Sequence, residues 1–274
     1  GDPNGAPSNS GERLNFPHSG SPFGCCGFNQ PSQNLVNFFK VDANGLPLAL
    51  SVGDLEPLDA TAAWNADNDN FTAAKTDPVD PRLDWTVGRD GVPYKDWGLH
   101  NSAGGWVRDV SYGGYYNGKK HVHEHASGSQ STVGWNNAHL NGMNFHIFRY
   151  ADVLLLLAEA EVEAGSLENA RQLVNQIRER AGKAAQGCGL PDASDSKLAA
   201  AAEALVARYP QCAGDTRIAV PIDDPSITWA TYRIGLYKTP WTDKEYARSA
   251  VRYERRLELA MEGQRFFDLR RWDI

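Results

Sequence analysis

Apolar residues recur at three- and four-residue steps through the second half of the chain. The longest such run is Ala247, Ala250, Val251, Tyr253, Leu257, Ala260 and Met261, which places one apolar stripe along a helix. Thr242 and Glu245 stand at capping-box spacing, so this helix is predicted to begin near Asp243 and to end at Gly263. Upstream, Phe148, Tyr150, Val153, Leu154, Leu157, Ala158 and Glu161 share helical spacing, closed by Gly165. Ser166 can then cap a further helix that buries Ala170, Leu173, Val174, Ile177 and Ala181 and stops at Gly182. Joined at Gly165 and Ser166, the two form an antiparallel hairpin of about thirty-four residues, the size of one tetratricopeptide unit. One such unit cannot bury its own face and needs stacked neighbours. Propensity alone predicts another helix over Ser196–Ala207.

The first half lacks this period. Gly1–Asn34 reads as a long loop, Leu35–Phe39 as an ordered patch and Asp42–Gly45 as a turn. Asp77–Asp84 is predicted non-helical because each proline disfavours the helical region for the residue before it. Trp85–Val87 reads as a short strand with a turn over Gly88–Gly91. The chain thus divides into an irregular, loop-rich region over residues 1–144 and a helical region over 145–274, and the expected class is mainly α.

Composition narrows the picture. A chain of 274 residues, 41% hydrophobic, can bury a sizeable core. A net charge of −7 without a Lys/Arg run argues against nucleic acid as a partner. No apolar stretch approaches the ~20 residues of a membrane span, and no signal peptide is seen at Gly1. Of the four cysteines, Cys25 and Cys26 are adjacent and could pair only with strain, while Cys188 and Cys212 bracket a predicted helix. A Cys188–Cys212 bridge and four buried thiols are both open readings, and the spacing fits no common zinc pattern.

Trp97, Trp106, Tyr112, Tyr115, Tyr116 and Trp135 are interleaved with Gly, Asn, Asp and Lys. Such rings can stack on the C–H face of a sugar while polar neighbours hold its hydroxyls, and they can equally pin loops to a scaffold. Flanking glycines favour Trp106, Tyr115 and Tyr116 as the accessible ones. His121, His123 and His125 would share one face of a strand, and a polar edge is preferred there to a metal site. Asn65, Asp67 and Asp69 alternate as in a calcium loop but lack its glycine and distal glutamate, so a solvated loop is preferred and no cofactor is expected. Glu159, Glu161 and Glu163 read as a solvated face with arginine pairing, and Arg149 and Arg178–Arg180 as structural. No catalytic signature occurs. In the final stretch Phe266, Phe267, Leu269 and Trp272 are expected to be buried, with Glu254, Glu258, Glu262 and Asp268 as local partners for Arg265, Arg270 and Arg271.

That stretch, ERRLELAMEGQRFFDLRRW, together with RYADVLLLLAEAEVEAG and ARQLVNQIRERAG, resembles the C-terminal half of the SusD/RagB family of nutrient-binding outer-membrane lipoproteins. The resemblance runs from Phe145 to Trp272, and is loose before that, in pieces such as DPRLDWTVGRDG. It implies a SusD-like fold in which tetratricopeptide-like hairpins carry an irregular binding region. It also implies that the chain is a fragment without the family's lipid anchor, early helices and extreme C-terminus. The implied function is non-enzymatic: surface capture of a glycan and its delivery to a SusC-like TonB-dependent transporter in the outer membrane. A peptide-binding member of the same family and a glycoside hydrolase are the alternatives.

Overall fold

In the computed structural model, residues 14–51, 77–129, 143, 146–183, 187–218 and 229–274 are described, apart from the side chains of Ser51 and Tyr112. The architecture is mainly helical. Short helices α1 (Gln33–Asn37), α2 (Leu48–Ser51), α3 (Arg82–Thr86) and α4 (Val110–Gly113) precede the longer α5 (Tyr150–Ala164), α6 (Leu167–Gly182), α7 (Ala199–Arg208), α8 (Lys244–Glu258) and α9 (Gln264–Arg271). Strands are reduced to two-residue pairs. β1 (Pro78–Val79) runs parallel to β4 (Thr231–Tyr232), and β2 (Val87–Gly88) antiparallel to β3 (Asn117–Gly118).

The helical half follows its sequence pattern closely at the ends. Ser166 caps α6 by accepting the Asn169 N–H, and Gly165 closes α5. The cap of α8 is Asp243 rather than Thr242, its carboxylate accepting from the N–H groups of Glu245 and Tyr246. α8 also ends at Glu258, before Gly263, which instead opens α9 in the left-handed conformation. α5 and α6 pack side by side and α8 lies against both, burying Leu155, Ala158, Val174, Ile177, Ala250 and Val251.

α5 is apolar on more than one side. Leu154, Leu155, Ala158 and Val162 are buried, whereas Tyr150, Val153, Leu156 and Leu157 face outward. Phe266 and Phe267 were expected inside but are exposed, because α9 docks through Asp268, whose carboxylate is bonded to Arg255.

The loop-rich half is anchored by burial. Phe16 and Phe23, within a predicted loop, sit with Tyr94, Trp97, Trp106, Val122 and Leu198 in an aromatic cluster. The expectation that Asp77–Asp84 is non-helical fails at its end. α3 starts directly after Pro81, and proline is tolerated where a helix begins because its missing N–H would be unpaired there anyway. Trp85 and Thr86 therefore lie on α3, and only Val87 continues into β2.

Both cysteine pairs are joined, Cys25 to Cys26 and Cys188 to Cys212. The second closes a separation of 24 residues and lies with Val92, Leu205 and Trp229 in its own apolar cluster. Replacing Cys188 and Cys212 together by alanine is expected to lower stability by about 3 kcal/mol through the regained freedom of the unfolded loop. Denaturant titration of the oxidised protein against the double variant measures it, and an unchanged midpoint would refute the assignment.

His121, His123 and His125 do not share a strand face. His121 Nε2 is 2.6 Å from the Met261 carbonyl, His125 Nε2 is 3.1 Å from Asp195, and His123 is buried among Phe16, Phe23 and Trp97. Among the described residues neither His123 nitrogen has a hydrogen-bond partner, and burial, helped by the Lys95 and His125 charges, lowers its pKa to about 4. The unfolded chain takes up this proton near pH 6.5 and the folded one only near 4. Stability is therefore present above about pH 6.5 and lost as pH falls toward 4, by up to about 3 kcal/mol. His123→Leu is expected to flatten that part of the stability–pH curve, as followed by thermal unfolding between those pH values.

No helix among the described residues is long and apolar enough to cross a membrane. No cluster of His, Cys, Asp and Glu able to hold a metal ion occurs among them, and the Asn65–Asp69 pattern lies outside them.

Candidate functional site

A pocket of about 820 Å³ opens between the loop-rich and the helical halves. From the first half, α3 contributes Arg82, Trp85 and Thr86, the loop after β2 contributes Lys95, and the loop after β3 contributes Lys119, Lys120, His121 and Glu124. Met143 stands at the junction, and from the second half come His146 and Arg149, then Gln176, Glu179, Arg180 and Lys183 around the end of α6, and finally Glu258 and Glu262 at the end of α8.

Its floor is an ion-pair network. Asp80 accepts the Arg82 backbone N–H and forks the Arg82 guanidinium at 2.9 and 2.7 Å, so the start of α3 aims Arg82 at α8. There Arg82 reaches Glu254 at 2.6 Å and Glu258 at 3.1 Å. Arg178 of α6 meets the other Glu254 oxygen at 2.9 Å and donates to the carbonyls of Gly45 and Gly235. Those two backbones touch so closely that a Cβ on Gly235 would lie 1.9 Å from the Asn44 carbonyl oxygen, so glycine is required there.

Glu258 also receives Arg149 and Arg180, while Glu262 receives Arg149 and Lys120. The glutamates of α8 thus serve distant cations rather than the local arginines expected from sequence. Arg271 does pair with one expected local partner, Asp268, and adds the distant Glu159. Burial alone would raise the carboxyls of Asp80, Glu258 and Glu262, but the neighbouring cations hold all three below the usual carboxylate range.

Above the floor stand lysines in unusual states. Lys119 is buried, and its ammonium donates to the Asp84 and Pro93 carbonyls at 2.7 and 2.8 Å. Burial pulls its pKa down to about 7, the Asp84 charge opposing and the Arg89 and Lys95 charges assisting. Lys95 donates to the Val122 carbonyl and is likewise lowered by burial.

Of the aromatic residues selected from sequence, the described ones, Trp97, Trp106, Tyr115 and Tyr116, do not line this pocket. Trp97, Trp106 and Tyr116 are buried at 4%, 6% and 1% exposure. Trp97 donates its indole N–H to the His123 carbonyl, Trp106 packs edge-on to Tyr94, and Tyr116 donates its hydroxyl to Gln33. Such rings have no free face for a sugar, so their role in these positions is to hold loops together. Tyr115 is half-buried. The Tyr112 side chain and Trp135 lie outside the described residues.

Among the described residues the tryptophan that lines the pocket is Trp85, which sequence reading placed in a strand. Its signal was faint, a tryptophan next to the DPRLD segment. The Lys119–Lys120 pair was equally visible and equally unremarked. A serine, an aspartate and a histidine do converge nearby, but Asp90 lies between the other two. It accepts from Ser102 and binds His100 Nδ1 at 2.7 Å, while His100 Nε2 faces Asn117 at 2.7 Å. Nucleophilic catalysis requires the histidine to take the serine proton, and this order does not provide it.

The molecule is therefore a mainly helical protein with a large pocket of mixed charge and Trp85 in its wall. The model of the SusD family matches residues 4–274, so the chain belongs to the SusD family, and the match extends well before the Phe145 boundary seen by eye. Members of this family bind nutrients, work with SusC-like transporters and are usually associated with the outer membrane. A search of curated proteins found no match.

Proposed function

We propose that this protein captures an oligosaccharide at the cell surface and passes it intact to a SusC-like TonB-dependent transporter, as a lipoprotein of the outer membrane. The observation that carries this reading is the pocket. Its volume falls in the range of small-molecule sites, and it combines one aromatic face, Trp85, with hydrogen-bonding side chains from several elements. A sugar ring stacks on Trp85 while Gln176, His121, Glu124 and the lysines hold its hydroxyls.

Residues 1–144 act as the ligand-facing region on a helical support, 145–274, in which α5 and α6 form one tetratricopeptide-like unit. Binding involves no bond cleavage. The carboxylates that enter the pocket floor, Glu258 and Glu262, are held ionised in ion pairs, which suits neither a general acid nor a free nucleophile.

Calorimetry with a panel of neutral and acidic oligosaccharides and a peptide pool tests the proposal, with the recovered ligand assayed for cleavage. Trp85→Ala is expected to weaken glycan binding at least tenfold while the unfolding midpoint stays nearly unchanged. Binding of peptides alone, or release of new reducing ends, would refute it.

A further inference from the structure

We infer that the oligosaccharide taken by this pocket carries negative charge, as carboxylate or sulfate groups on its sugar rings. This rests on the glycan reading and narrows it to an acidic class.

The charge in the wall is unbalanced. Among the described residues, seven Lys and Arg side chains line it against four Glu. Including the groups directly behind it, Asp80, Glu254 and Arg178, leaves eight cations on six carboxylates. Arg89 and Asp84, the next pair outward, are matched to each other in a fork with both contacts at 2.7 Å. The imbalance runs against the chain as a whole, whose net charge is −7. A surplus of cations kept in a cleft of an acidic protein focuses potential on an incoming anion.

The shortage of counter-charge is visible at single residues. Glu258 is shared by the guanidiniums of Arg82, Arg149 and Arg180. Lys119 is 4% exposed, and the two acceptors of its ammonium are backbone carbonyls rather than carboxylates. The carboxylate nearest to Lys95 is Glu124, 3.6 Å away and half in solvent. A buried ammonium without a carboxylate is costly, and an anionic ligand supplies the missing charge. At the rim Arg180 and Lys183 are largely solvent-exposed, with side-chain exposures of 60% and 71%, where they can reorient toward a ligand.

Proton linkage follows. Lys119 is only partly charged near pH 7, with Asp84 favouring its charged form and Arg89 and Lys95 opposing it. An anion in the pocket raises its proton affinity. Binding therefore takes up a proton, and affinity falls as pH rises through about 7.

The experiment is calorimetric titration of the protein with three probes of equal length: oligogalacturonate, a sulfated glycosaminoglycan oligosaccharide and a neutral cello-oligosaccharide. One acidic probe is expected to bind at least tenfold tighter than the neutral one and to weaken as salt is raised. Its affinity is expected to fall about tenfold between about pH 6.5 and 8.5. Lys119→Met should abolish that pH dependence, and Lys183→Glu, at an exposed position that leaves folding intact, should weaken the acidic probe alone. Preference for the carboxylate over the sulfate probe, or the reverse, assigns the anionic group. Equal binding of the neutral probe, lost in Trp85→Ala, would overturn the inference and leave glycan capture standing. Binding of none of the three, with peptides bound instead, would overturn both.

Discussion

Replacing Glu254 by alanine is expected to cost about 3–5 kcal/mol of stability, more than any surface change in this protein. Glu254 is fully buried and stands between Arg82 at 2.6 Å and Arg178 at 2.9 Å, both also buried. Removing the carboxylate leaves two guanidiniums in a low-dielectric interior. Arginine cannot escape by losing its proton, so the penalty is retained at any accessible pH. Arg82 keeps Asp80, but Arg178 is left facing the carbonyls of Gly45 and Gly235. Glu254→Gln preserves an acceptor of the same shape and should cost less. Equilibrium urea unfolding of the three proteins gives the comparison; a loss below about 1 kcal/mol for the alanine variant would show that the network adds little.

A loss of similar size, about 3–5 kcal/mol, is expected for Arg255→Met, with a different local consequence. Arg255 reaches Asp152 on α5 at 2.8 Å and forks Asp268 on α9 at 3.0 and 2.9 Å, all three groups being buried. Together with Arg271, which bonds Glu159 of α5, it fastens α9 to the α5–α8 pair. Phe266 and Phe267 face away from that pair, so little apolar packing replaces the lost bonds. Amide hydrogen exchange over residues 264–271 should therefore accelerate more than over α6. A double-mutant cycle with Asp268→Asn separates the Arg255–Asp268 pair from the remaining contacts. Uniform acceleration along the whole chain would mean that Arg255 serves global stability rather than the docking of α9.

The two variants probe different parts of the motif by which the chain resembles its family. ERRLELAMEGQRFFDLRRW combines two jobs that sequence cannot separate. Glu254, Glu258 and Glu262 form the pocket floor, whereas Arg255 and Asp268 hold the C-terminal helix. On α8 itself Glu254 and Glu258 face the pocket floor, while Arg255 faces α5 and α9.

Local chemistry was legible from sequence because its causes lie within a few residues. The hairpin of α5 and α6, its joint at Gly165 and Ser166 and the buried stripe of α6 follow from period and capping alone. The family could be seen from ordered motifs, and the stretch matched by its model is longer than those motifs. What sequence could not settle was orientation. α5 is apolar nearly all round, so period predicts a helix but not which stripe is covered, and α6 and α8 chose Leu154, Leu155, Ala158 and Val162.

The aromatic run shows the same division in the loop-rich half. Its composition suits a sugar platform or a loop anchor equally well, since both need large rings beside polar groups. Only the path of residues 14–28 across Trp97 and Trp106 put those rings inside. The pocket is likewise a product of long-range approach: Lys120 and Glu262 meet across 142 residues, and Arg82 and Glu258 across 176. Sequence alone determined the hairpin of α5 and α6 and the start of α8, because capping and periodicity act between near neighbours. The tertiary structure decided which charges face one another, because electrostatic pairing depends on distance in space and is blind to distance along the chain.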